Sequence, residues 1–183
     1  MFVESLSCGW IQARQAAGAD PDETARLLLA RMDDHPYGFC DTTEGDAVKA
    51  FESEGLQAFE RQVRARFVAV PGAPGSEPDE RSRRDRAYAR RRWGEVLRAI
   101  YSAQHSVEKY VSLCEQAELL PADCEAIAGM LRMKRKPKEA LAWVNRGLEL
   151  EKKIDFGADS GYKLAEMKRS LLEKLGRGDG LTS

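Results

Sequence analysis

Histidine is scarce in this chain: only His35 and His105 are present, and His105 sits in an Ala-Gln-His-Ser turn with no acid–base partner nearby in sequence. General acid–base chemistry needs such a partner, so an enzyme is not the expected reading. None of the four cysteines has CxxC spacing, which points to reduced thiols in the cytoplasm and away from a disulfide or zinc framework. Convincing strands are lacking as well, so no Gly-rich loop follows a strand to cradle a phosphate. No apolar run approaches the ~20 residues that cross a bilayer, and the N-terminus lacks a signal-peptide pattern. Together these absences predict no catalytic residue, no cofactor, no metal and no membrane segment.

What remains is ordinary in amount and distinctive in arrangement. Hydrophobic content of 43% and aromatic content of 8% suit a globular protein. Charge is heavy but balanced, 29 basic against 30 acidic residues, and a net charge of −1 argues against general polyanion binding while leaving room for a local basic patch. The length accommodates one well-buried domain or a short array with an extra module.

The organising stretch is residues 121–154. Pro121 suits a first helical position and Asp123 puts negative charge in that turn. Cys124, Ile127, Ala128 and Leu131 follow at helical spacing and run into Lys134-Arg135-Lys136, cations suited to a helix C-terminus. Pro137 restarts the helix, and Ala140, Leu141, Val144 and Leu148, with Trp143 beside them, make a second stripe. Neither helix is long enough to stand alone, so each buries its stripe against the other and its neighbours.

This segment resembles a tetratricopeptide repeat, whose period is 34 residues and whose helices cross at small side chains. Ala128 stands at the small position of the first helix, and Ala140 and Gly147 at the two of the second. Two departures are Lys152 where the family has proline and Cys124 where an aromatic is common. A shift of 34 residues aligns Trp93-Gly94 with Ile127-Ala128, Leu97 with Leu131, Val107 with Leu141, Tyr110 with Val144 and Cys114 with Leu148. The expected fold is therefore all-α, with antiparallel hairpins stacked as a short TPR-like solenoid of about seven to eight helices. A helical bundle with coincidental spacing is the alternative.

Along the chain, Phe2, Leu6, Trp10, Ala13 and Ala17 predict an opening helix closed by Gly18. Asp20-Pro21-Asp22-Glu23 predicts the next start, with Asp20 as cap and Glu23 reaching back as in a capping box. Asp33, Asp34, His35, Cys40 and Asp41 lie around a Pro36-Tyr37-Gly38 turn, but their spacing matches no zinc or calcium motif and reads as a solvated turn. Val48, Phe51, Leu56, Phe59, Val63, Phe67 and Val70 mark a long amphipathic stretch interrupted by Gly55, where a turn between two helices is expected. The prolines and glycines of residues 71–81 predict a flexible linker. The expected organisation is thus an N-terminal helical part (1–70), the linker, a repeat part with a C-terminal capping helix (82–176) and a tail (177–183). Within the repeat part, Trp93, Val96, Leu97, Ile100 and Tyr101 form the stripe of one helix, and Ser106 caps the next.

The order of "DDHPYGFCD", "EGLQAF", an Arg-rich helix with a Trp, "YVSLCEQA" and the hairpin is similar to a bacterial family of uncharacterised helical-repeat proteins. Its members sometimes sit beside SWIM zinc fingers, whose cysteines and histidine have no counterpart in this chain. That resemblance implies a helical fold and no activity.

Two binding surfaces follow. The repeat resemblance places Arg91, Glu95 and Arg98 from one unit on a concave groove with Glu125, Gly129, Arg132 and Met133 from the next. Such a groove would suit a protein or peptide partner, acidic in character, held by Arg forks. Alternatively these residues pair with one another. The second surface is "RSRRDRAYARRRW", in which Arg81, Arg83, Arg84, Arg86, Arg90, Arg91 and Arg92 stand beside Tyr88 and Trp93. Arginines interleaved with aromatics bind single-stranded nucleic acid by neutralising phosphates and stacking bases. The plainer reading is a solvated helix face with Trp93 in the core.

Overall fold

Proline marks the start of several helices, and residues in the left-handed region close two of them. The structure, a computed structural model, describes residues 2–33, 43–69, 80–153 and 159–178. Among these described residues there are nine helices and no strand: α1 (Phe2–Ala16), α2 (Pro21–Asp33), α3 (Thr43–Ala50), α4 (Ser53–Val68), α5 (Glu80–Ala103), α6 (Val107–Gln116), α7 (Pro121–Met133), α8 (Pro137–Glu151) and α9 (Asp159–Gly178). Three of them open on proline, where the missing N–H is not needed. At the end of α1, Gly18 takes φ +67°, its N–H donates to Gln15 O, and Ala19 N–H reaches Arg14 O, each at 3.0 Å. This is a Schellman closure. The same closure ends α7 without glycine: Arg135 adopts φ 58°, and Lys136 N–H donates to Leu131 O at 2.9 Å.

By its contacts the chain divides into two compact units, Met1–Ala103 and Gln104–Ser183. In the first, α1 packs on α2 and α3, α2 on α4, and α5 on both α3 and α4. Its core holds Ile11, Leu28, Leu29, Phe59, Phe67 and Leu97. The expected α1 stripe is corrected here: Leu6 is 64% exposed, and Ile11, with no exposure, is the inward residue. The reason lies in the α1–α3 contact, which turns Ser7, Ile11 and Gln15 inward. Gln15 Nε2 donates to Ala50 O at 3.1 Å and Gln15 Oε1 accepts from Glu52 N–H at 2.7 Å, stitching the α3–α4 junction.

That junction also corrects the break expected at Gly55. The chain leaves the helix at Phe51-Glu52, and Gly55 lies inside α4. A Cβ at Gly55 would stand 2.6 Å from Phe51 Cδ1, so the glycine admits a ring that stacks on Phe59 at 5.4 Å. At the start of α2, Asp20 Oδ1 accepts from Asp22 N–H at 3.0 Å, as an N-cap does. Glu23 does not complete a capping box; it faces Arg14 Nη2 at 3.1 Å.

In the second unit α6 packs on α7, α7 on α8 and α9, and α8 on α9. The small positions read from the sequence sit in these contacts: Ala128 and Ala140 have no exposure. A Cβ at Gly147 would stand 2.9 Å from both Cys124 Cβ and Leu164 Cδ1, so this glycine sets the approach of α7, α8 and α9. Ser106 precedes α6 but makes no side-chain cap; its carbonyl accepts from Tyr110 N–H.

The grouping of α5 differs from the expected organisation. Trp93, Val96, Leu97, Ile100 and Tyr101 are buried as their spacing predicts, and the helix that carries them packs on α3 and α4. The division of units therefore falls after Ala103, inside the 87–120 window aligned with 121–154. Residues 71–79 of the expected linker lie outside the described residues, and Glu80 and Arg81 already belong to α5.

Candidate functional site

The outward side of α7 is built by what the helix buries. Cys124, Ile127, Ala128, Met130 and Leu131 point into the second unit. Helical geometry then places Ala122, Glu125, Ala126, Gly129, Arg132 and Met133 on the opposite stripe. Its centre is low: a Cβ at Gly129 would meet nothing within 4 Å. Its C-terminal end rises to Arg132 and to Met133, which is 63% exposed. A large apolar side chain beside bare backbone, flanked by a carboxylate and a guanidinium, offers both shape and charge to a partner. On the adjoining α6, Glu108 stays below its ordinary carboxylate value through a backbone hydrogen bond, helped by Lys134 Nζ at 3.7 Å.

Glu125, Arg132 and Met133 thus share one face of α7 in the second unit. The remaining groove candidates, Arg91, Glu95 and Arg98, share α5 in the first unit, where Arg91 Nε donates to Glu95 Oε1 at 3.1 Å. Each trio is brought together on its own helix.

The arginine-rich stretch separates into two sets. Arg92 Nη2 donates to Met32 O at 2.8 Å, and its guanidinium lies 5.1 Å from the Trp93 ring centre. Arg90 lies 4.8 Å over the Phe67 ring. Arg66 covers Trp93 at 5.4 Å while pairing with Asp33 at 2.9 Å. These groups hold α2, α4 and α5 together. Arg81, Arg83, Arg84 and Arg91 are exposed, Arg86 is half-buried, and Arg84 pairs with Glu80. Residue order alone does not sort the two sets, because the acceptor of Arg92 lies 60 residues away.

Of the five residues weighed as metal ligands, Asp34, His35, Cys40 and Asp41 lie outside the described residues, and Asp33 is engaged by Arg66. Among the described residues no group of three or more His, Cys, Asp or Glu is placed to hold a metal ion. Cys114 and Cys124 are buried on their stripes. Burial pushes the Cys124 thiol up to about 11, with Arg146 opposing the shift and Asp123 adding to it. A thiol so held is protonated at neutral pH and is a poor nucleophile. A cleft of about 460 Å³ opens between the α1–α2 turn and the α3–α4 junction, lined by Gln15, Gly18, Thr24, Phe51 and Glu54 among others. Its glutamine is already committed to the backbone of the junction. No helix among the described residues is long and apolar enough to cross a membrane.

Compared with protein-family models, with curated proteins and with solved structures, the chain finds no match.

Proposed function

We propose that this chain is a non-enzymatic protein-interaction module, working in the cytoplasm, that receives a protein or peptide partner on the outer face of α7. The observation that carries the reading is the pairing of Met133, 63% exposed, with the open backbone at Gly129 on one stripe of a helix whose other side is fully packed. Exposed apolar anchors beside charged groups are what helix-face recognition uses. The resemblance of residues 121–154 to a tetratricopeptide unit supports the same reading, since such units commonly bind peptides. Arg132 at the end of the stripe suits an acidic residue on the partner. The thiols of Cys8, Cys114 and Cys124, none bridged to another, suit a reducing compartment.

Gly129→Lys tests the proposal without endangering the fold, because the added side chain enters open space and helix propensity rises by about 0.5–1 kcal/mol. Affinity purification from the native cell with wild type, Gly129→Lys and a Lys174→Glu control on α9 should recover a common partner with the first and third only. Recovery of the same partners by all three would contradict the proposal.

A further inference from the structure

We infer that the outer stripe of α5, formed by Arg81, Arg84, Tyr88 and Arg91, binds single-stranded nucleic acid. This goes beyond the proposed protein-binding face, which lies on another helix in the other compact unit.

The stripe follows from the helix itself. Trp93, Val96, Leu97 and Ile100 fix the buried side of α5. Steps of three and four residues carry Arg81 to Arg84, Tyr88 and Arg91 along the side directly opposite. Tyr88 is 55% exposed and stands midway between the arginines. At a rise of about 1.5 Å per residue the stripe spans about 15 Å, long enough for a few nucleotides.

Charge favours a polyanion at this place and not over the whole molecule. Residues 80–92 hold seven arginines against Glu80 and Asp85, whereas the whole chain carries −1. Arg84 and Arg91 already have carboxylate neighbours, Glu80 and Glu95, but the arginine side chains of these i,i+4 pairs are 77% and 81% exposed. Such pairs contribute little and are screened by salt, so phosphates can take their place. The aromatic ring decides between nucleic acid and an acidic peptide. A carboxylate chain has no use for a flat apolar face between two guanidinium groups, whereas a base stacks on it. Arg90 and Arg92 are left out of the site because Phe67, Trp93 and Met32 O occupy them.

The test uses the full chain, a fluorescein-labelled oligothymidylate and fluorescence anisotropy across a salt series. Wild type is expected to bind, with affinity falling steeply as salt rises. Arg84→Gln plus Arg91→Gln should reduce both affinity and the salt slope. Tyr88→Ala should weaken binding by about 5- to 150-fold, the size of one lost base stack, while Tyr88→Phe keeps it. All three positions are exposed, and thermal unfolding of each variant checks that it remains folded. Gly129→Lys should bind the oligonucleotide like wild type, which separates this inference from the α7 proposal. The inference is overturned if wild type shows no salt-dependent binding, if Tyr88→Ala binds unchanged, or if poly-glutamate competes as well as the oligonucleotide.

Discussion

Tyr110 donates its hydroxyl hydrogen to Asp123 Oδ1 across 3.0 Å, and Asp123 Oδ2 accepts from Leu120 N–H at 2.9 Å. One carboxylate, 2% exposed, therefore ties α6 to the first turn of α7 and satisfies a backbone donor at the α7 start. Leaving a buried carboxylate short of a donor costs about 1–3 kcal/mol. Tyr110→Phe keeps the ring's packing and removes only the donor, so the unfolding free energy from urea titration should fall by about 1–3 kcal/mol, seen as a lower midpoint with an unchanged m-value. A loss below about 0.5 kcal/mol would show that the hydroxyl is not needed there.

Two glycines in the same hairpin should respond in opposite directions. A Cβ at Gly147 would stand 2.9 Å from Cys124 Cβ and Leu164 Cδ1, and its position is set by the backbone, so an added methyl has to push α8 away from α7 and α9. Gly147→Ala is expected to destabilise by about 1–3 kcal/mol, as overpacking does. Gly129→Ala meets open space and should stabilise by about 0.5–1 kcal/mol through helix propensity. Thermal unfolding of the pair checks the prediction; a loss at both positions would mean that the outer face of α7 is not open.

Cys124 makes stability depend on alkaline pH. Its thiol ionises near 11 in the fold, raised by burial, against 9.0 as its ordinary value. Between about pH 9 and 11 the unfolded chain gives up this proton and the native chain keeps it, so stability falls as pH rises through that window. Below the ordinary thiol range the group contributes no slope. Urea unfolding at a series of alkaline pH values should show a shallower decline for Cys124→Ala than for wild type; equal slopes would mean that the thiol is not held protonated by the core.

The hairpin of α7 and α8 could be read from residues because its causes are local. Pro121 and Pro137 start the helices, and Ala128, Ala140 and Gly147 mark the crossing by their size alone. Partners distant in the chain could not be read. Gln15 stitches a junction 35 to 37 residues away, and Arg92 reaches Met32 O across 60. Asp123 shows in sequence only as a helix-start charge; its second role needs Tyr110, 13 residues earlier, brought across the α6–α7 contact. The same limit affects α5. Its stripe was legible, but which helices cover it depends on side chains of α3 and α4, and its arginines divide into packed and exposed sets only when Phe67 and Met32 are in place.

The α7 proposal is tested most directly by placing a photo-crosslinking amino acid at position 129 in the native cell, with position 173 on the exposed side of α9 as the control. A discrete higher-mass adduct from position 129 and none from 173 is the predicted result. No adduct from 129, or the same adducts from both positions, would contradict it.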